Sequence, residues 1–247
     1  MKHFLTNYAK GKIKEFCTGE IESCGFILSS KRGLKVVKCE NKSDNPKERF
    51  MIGFEETEYY KSLGNIVGCF HDHLDNSTEF SKLDKWASEK TGVPYILYSN
   101  NEFFFYLPKG RDIPYVGRPY APGVFDCFSL TKDFYKNEFN IELPEFYHEL
   151  RYVEDWRKHI STVKKYKGSR DETIVERYFL ENNFKEVKDF KKGDILLLHN
   201  GLAVADLAIF TKGNNILLQE FDESMYSYID SKIKSRLKKT LRHRSLC

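Results

Sequence analysis

The chain has 247 residues, 40% of them hydrophobic and 15% aromatic, which is enough for one large or two ordinary domains with full cores. Its 40 lysines and arginines stand against 36 aspartates and glutamates, a formal net charge of +4 that does not mark the chain as a polyanion binder. No eighteen-residue apolar run and no basic start leading into an apolar stretch is present, so neither a membrane span nor a secretory leader is expected.

Phe4, Leu5, Tyr8, Ile13 and Phe16 recur at helical spacing and predict a leading amphipathic helix. Gly25 to Ser29 and Leu34 to Cys39 read as two strands around the turn Lys31-Arg32-Gly33. A loop from Asn41 to Pro46 and a short helix from Glu55 to Leu63 follow. The cysteines, Cys17, Cys24, Cys39, Cys69, Cys127 and Cys247, form no C-x-x-C pair and read as reduced thiols, three of them in apolar strands.

Ile66-Val67-Gly68-Cys69-Phe70 is a buried strand that runs into His71-Asp72-His73. Side chains two apart on a strand point the same way, so both imidazoles can reach one ion. A polar loop then leads to Ser81, a helix N-cap for Lys82 to Thr91, and Asp84 lies one turn in, able to face back to the histidines. Two neutral nitrogens and a carboxylate leave a fourth tetrahedral position open, which is the donor set of a catalytic zinc. The same Ser81-Lys82-Leu83-Asp84 also spells a capping box, and that structural reading stands beside the chemical one. Pro94 to Tyr98 and Phe103 to Leu107 complete a mixed sheet with helices, an α/β domain over residues 1–107.

His-x-His, seven residues, then Ser-x-x-Asp resembles the signature of the JAMM (MPN-type) metallopeptidases. The resemblance implies zinc on His71, His73 and Asp84, an oxyanion-stabilising hydroxyl from Ser81, and a general base two residues before a Cys-Gly. Glu22-Ser23-Cys24-Gly25 supplies that glutamate, which would take a proton from water and pass it to the leaving amine. Asp72 and Leu74 depart from the serine and proline usual there and bear on loop shape and substrate fit.

Pro108-Lys109-Gly110-Arg111-Asp112-Ile113-Pro114 reads as a linker, and residues 115–247 as a separate domain. In it, Asp126-Cys127 opens a helix running through Tyr135, where helix dipole and free N–H groups favour a thiolate. Asp-Cys-x-x-Leu resembles the nucleophile motif of NlpC-type cysteine peptidases, and Lys192-Gly193-Asp194 with Ile195 to Leu198 is similar to that family's Gly-Asp strand. The resemblance implies a papain-like α+β fold with Cys127 as nucleophile and Gln219 as orienting residue. It departs where the family has its histidine, because this chain has Asp206, and a carboxylate of ordinary pKa is a poor base for a thiol. His199, before the turn Asn200-Gly201, and His148 and His159 are the other imidazoles of this half.

A JAMM domain followed by an NlpC-type domain, with Gly117-Arg118-Pro119-Tyr120 and Thr240 to Arg244, resembles the tail assembly protein K family of long-tailed bacteriophages. The resemblance implies tail-tip proteins as partners, a tail protein or peptidoglycan as substrate, and a life in the host cytoplasm during assembly or in the tail tip of the virion. Three readings stay open. One is a zinc (iso)peptidase, one a structural subunit with silent domains, and one a peptidoglycan hydrolase acting through Cys127. Met225 to Cys247 carries seven basic residues and one aspartate, with Tyr226, Tyr228, Ile229, Ile233 and Leu237 interleaved as a buried face. Without aromatic platforms or a recognised motif, nucleic acid is not expected as a partner.

Overall fold

The computed structural model describes residues 5–17, 19–31, 33–146, 174–199, 205–220 and 222–247. Phe4, Arg32, His148, His159 and the turn Asn200-Gly201 lie outside them. The chain divides into two compact units, Met1–Ile113 and Pro114–Cys247.

In the first unit, α1 (Asn7–Phe16) is followed by β1 (Cys24–Ser30), β2 (Gly33–Cys39), α2 (Phe54–Leu63) and β3 (Asn65–Asp72). Then come α3 (Lys82–Thr91), β4 (Tyr95–Ser99) and β5 (Glu102–Tyr106). The sheet runs β2-β1-β3-β4-β5, with β3 and β4 parallel and the other pairs antiparallel. The parallel pair is the one that needs a crossover, and α3 provides it. Ile27, Val36, Phe70 and Ile96 pack with Ala9 and Ile13 of α1 on one face. The register pairs Cys24 with both Cys39 and His71, so these share the other face, where Phe26 meets Tyr60 of α2. Gly25 sits between the faces with no room for a side chain, since a Cβ there would lie 2.0 Å from the Val37 carbonyl oxygen.

The helix α1 begins at Thr6, whose hydroxyl accepts from the Ala9 N–H, and its buried stripe is narrower than its sequence suggests. Tyr8 is 54% exposed, because Ala9 and Ile13, with Leu5 ahead of them, fill the contact with the sheet. The segment Pro108 to Ile113 belongs to the first unit, and Glu89 of α3 holds it by accepting the N–H groups of Lys109 and Arg111 at 2.8 and 3.1 Å.

The second unit is a mixed α+β fold. It contains α4 (Cys127–Phe139), α5 (Ile174–Glu181), β6 (Phe184–Val187), β7 (Ile195–His199), β8 (Ala205–Phe210), β9 (Asn215–Gln219), β10 (Ser224–Tyr228), α6 (Ser231–Arg236) and β11 (Leu237–His243). Its antiparallel sheet is ordered β10-β9-β8-β7-β11-β6. Phe128, Leu130, Phe134 and Tyr135 of α4 and Val175, Tyr178 and Phe179 of α5 pack on Ile195, Leu197, Leu207, Ile209 and Leu217. Each such fully buried apolar side chain contributes about 1.5–3 kcal/mol. Leu196, Leu198, Ala208 and Phe210 form the other face with Ile229 and Ile233.

Of the interleaved apolar residues near the chain's end, Ile229 and Ile233 are buried, but Tyr226 and Tyr228 are 55% and 69% exposed. The reason is position: β10 is an edge strand, so its side chains are not enclosed by a second neighbouring strand.

Candidate metal centre and cysteine site

The strand β3 ends at Asp72, and the chain leaves it with both imidazoles converging: Nε2 of His71 lies 3.1 Å from Nε2 of His73. From α3, Asp84 Oδ2 comes within 3.7 Å of His71 Nε2. One ligand atom from each of the three lies within 4.8 Å of the others. His71 and Asp84 are buried and His73 is half-buried, so the cluster opens on one side. Phe50 stacks on the His71 ring at 4.8 Å, with Phe80 and Tyr95 set edge-on to it. Burial, and then the neighbouring His73, hold the His71 imidazole down at about 4 against the pull of Asp84, leaving it neutral with a lone pair to offer near pH 7. His73 Nδ1 faces the Ser77 carbonyl at 3.2 Å, which turns its Nε2 toward the cluster.

Ser81 and Asp84 do form the capping box. The Ser81 hydroxyl accepts the Asp84 N–H at 3.0 Å, and the Asp84 carboxylate accepts the Ser81 N–H at 2.9 Å. The hydroxyl also donates to Asp84 Oδ2 at 2.7 Å. Capping and donor convergence therefore coexist: the cap fixes the carboxylate whose Oδ2 faces His71. Ser81 is exposed beside the cluster, with its proton committed to Asp84.

Glu22 precedes β1 and is held by its backbone, its N–H donating to the Pro46 carbonyl at 2.7 Å and its carbonyl accepting from Asn41 at 2.9 Å. Burial, followed by the charges of Asp84, Asp72, Asp75 and Glu48, pushes its carboxyl up to about 8. A group so placed can hold or release a proton near neutral pH. Sequence reasoning gave Asp72 an effect on loop shape and substrate fit, and in the structure it also pins this segment. Its Oδ1 accepts the Ser23 N–H at 2.5 Å, while its own N–H donates to the Ser23 carbonyl at 3.2 Å. Its place between the two histidines was the only sequence signal; Phe50, far off in sequence, gave none.

In the second unit Cys127 is the first residue of α4, half-buried against the α4 core. The Asp126 carboxylate accepts from Ser129 and Gly123 at 2.6 and 2.9 Å, so the N-cap belongs to the helix and its preceding turn. Arg118 is buried and pairs with Asp133 of α4 at 2.6 Å, which ties the Gly-Arg-Pro-Tyr segment to the helix. Gln219 donates to the Arg118 carbonyl at 3.1 Å, and its Oε1 is buried with no partner among the described residues.

Asp206 is not where its motif position suggests. It pairs in register with Leu198, on the face that packs against α6, and its carboxylate forms an ion pair with Arg236. The neighbouring Leu207 takes the face toward α4. A one-residue step along a strand reverses the direction of the side chain, and motif matching does not see the pleat.

Residues 114–243 match the model of the NlpC/P60 family. Among curated proteins, the chain is similar to the tail tip assembly protein K of Escherichia phage N15, 29% identical over 127 residues, 51% of this chain and 52% of that protein. It is also similar to the tail tip assembly protein K of Escherichia phage lambda, 26% identical over 163 residues, 66% of this chain and 73% of that protein. The chain thus spans about half the length of the N15 relative and about three-quarters of the lambda one. With more than half of its residues inside the family match, the chain belongs to the NlpC/P60 family.

Proposed function

We propose that this protein is a phage tail assembly protein whose first unit is a zinc-dependent peptidase or isopeptidase. The single observation that carries the enzymatic part is the convergence of His71, His73 and Asp84 beside the proton-holding Glu22. The likeness to two tail tip assembly proteins supports the assembly part. Tail-tip proteins are then its partners, and its place is the host cytoplasm during assembly or the tail tip itself.

The donor set fits zinc: two imidazole nitrogens and one carboxylate oxygen, with one side of the cluster open. When bound, zinc supplies Lewis acidity and makes water a nucleophile at neutral pH. Glu22 accepts the proton of the attacking water and delivers it to the amine as the C–N bond breaks. Asp72 holds the Ser23 peptide and thereby the approach of Glu22. Phe50, Phe80 and Tyr95 wall one side of His71 and keep bulk water from it. Ser81 serves the oxyanion once its hydroxyl turns from Asp84.

A second reading, a structural tail-tip subunit with silent domains, draws on Asp206, which faces away from Cys127 and leaves that motif position without a base. Elemental analysis of purified chains separates the two. About one zinc per wild-type chain and none in His71→Ala supports the peptidase, with Glu22→Gln as the variant that keeps metal and loses hydrolysis. A wild-type chain that takes up no zinc from excess metal overturns it in favour of the scaffold.

A further inference from the structure

We propose that a cleft between α3 and the segment that follows β5 is a docking site for an acidic, extended peptide segment. That the occupant is a peptide rests on the peptidase reading above. That the cleft selects acidic groups does not, and it is tested with zinc removed.

One carboxylate builds the cleft. Glu89, in the last turns of α3, accepts from the Tyr106 hydroxyl at 2.7 Å and from the backbone N–H groups of Lys109 and Arg111 at 2.8 and 3.1 Å. Gly110, at a φ of +68°, makes the turn between those two donors, a conformation that costs glycine little. The segment is thereby strapped to the helix. Between them a cleft of about 350 Å³ stays open, in the size range of ligand sites, lined by Lys85, Trp86, Tyr106, Lys109, Arg111 and Asp112 beside Glu89.

Its charge is uneven. Lys82, one turn before Trp86, holds its Nζ 4.6 Å from the indole centroid and adds a fourth cation to Lys85, Lys109 and Arg111. Among the described residues none of these four pairs with a carboxylate, although Lys12, Lys61, Lys132 and Lys192 each do. Four cations thus stand against two carboxylates, Glu89 and Asp112, and Glu89 is already taken up by three donors. Trp86 and Tyr106 are half-buried and offer ring surface to the apolar stem of a side chain whose carboxylate meets the cations.

Two observations favour a peptide. A nucleic-acid strand carries a phosphate at every unit and would meet the carboxylate of Asp112, whereas a peptide brings N–H groups that Asp112 can accept. The Tyr106 ring also lies 6.0 Å from that of Phe80, and Phe80 lies 6.1 Å from His71, so Tyr106 is within about 12 Å of His71, the span of about four residues of extended chain. A peptide that docks an acidic residue here can present a bond a few residues away to the metal centre.

The chain has two tryptophans, Trp86 and Trp156, and Trp156→Phe leaves Trp86 as the reporter. Full-length, chelator-treated Trp156→Phe is titrated with blocked tetraglutamate, tetraglutamine and tetralysine, with acetate, and with the oligonucleotide (dT)4, while Trp86 emission is followed. Calorimetric titration of wild type with the same peptides reads the affinity without that substitution. Tetraglutamate is expected to change the emission saturably and to bind more weakly at high salt, and the other two peptides to leave it unchanged. Lys85→Ala and Arg111→Ala should each raise half-saturation about two- to five-fold, and the triple variant with Lys109→Ala should abolish binding with its melting temperature kept. Lys61→Ala, on α2, should change nothing. No response to tetraglutamate, an equal response to tetraglutamine, or unchanged binding by the triple variant overturns the docking site. So does tighter binding of (dT)4, which makes the cleft a nucleic-acid surface, or saturation by acetate at the same concentration, which makes it an adventitious ion site only. A chain that binds tetraglutamate as expected but takes up no zinc keeps the acidic docking site and loses only the reading of the metal centre.

Discussion

Glu22 and His71 both feel the charge of Asp84 and are pushed in opposite senses by burial, which makes them readable by pH. Glu22 is raised to about 8 by burial and then by Asp84 and Asp72, so the metal-free folded state keeps a proton that the unfolded chain has released above its ordinary value of 4.5. Stability therefore falls as pH rises through that window. His71, lowered to about 4 from 6.5, works the other way: the unfolded chain binds the extra proton, and stability rises with pH until 6.5 is passed. Above pH 6.5 the histidine contribution is flat, and the fall caused by Glu22 is exposed. The melting temperature of chelator-treated wild type is expected to drop between pH 6.5 and 8.5, with most of that slope absent in Glu22→Gln. Parallel slopes in the two proteins would refute the assignment. A second residue-scale expectation concerns Asp194, the fully buried aspartate of the Gly-Asp motif, which accepts two 2.8 Å bonds from Arg242. Arg242→Met leaves that carboxylate buried without its counter-ion, held only by the Lys191 N–H at 2.7 Å, and should cost about 3–5 kcal/mol in urea unfolding, whereas adding Asp194→Leu should restore most of it.

Elements are positioned here by contacts of single residues, and Gly193 is the clearest. Its φ is +95°, in the region that favours glycine, and a Cβ would press into Phe139 at 2.6 Å. Gly193→Ala should therefore lift the end of α4 from β7 and lower stability by about 1–3 kcal/mol, measured by denaturant unfolding. The control is Gly92→Ala, also at positive φ (+68°) but with open space around it, which should cost less. How far such elements could be read from sequence follows from which force fixes them. Lys82 to Thr91 is set by local signals, the Ser81 cap and Gly92, and its helix has those bounds. The strands around Cys24, Cys39 and Cys69 were legible from β-branched and aromatic runs, because buried strands leave little compositional freedom. Tyr8, Tyr226 and Tyr228 were misread, since spacing reports a possible face and only tertiary neighbours decide whether it is covered. The donor triad had a spacing signature; the face of Asp206 did not, because register is a property of paired strands.

At the scale of the molecule, the donor triad and the cysteine at a helix start lie in two different compact units. A ligand that binds only the folded state stabilises what it touches by RT ln(1 + [L]/Kd), about 2.7 kcal/mol at a hundred-fold excess over Kd. Zinc held as proposed by His71, His73 and Asp84 would tie the end of β3 to α3, so its effect should appear where those elements open. Hydrogen exchange of the full chain, with zinc and with chelator, is expected to slow in β1, β3 and α3 on metal addition. Each of these strands depends on the next through its ladder, β1 being hydrogen-bonded to β3 along Cys24 to Ser29. In His71→Ala the same peptides should exchange alike in both conditions. Slowing that is equal in wild type and variant would mean that zinc acts elsewhere, on surface carboxylates or thiols, and the donor triad would then have to be read as a capped helix beside two histidines and nothing more.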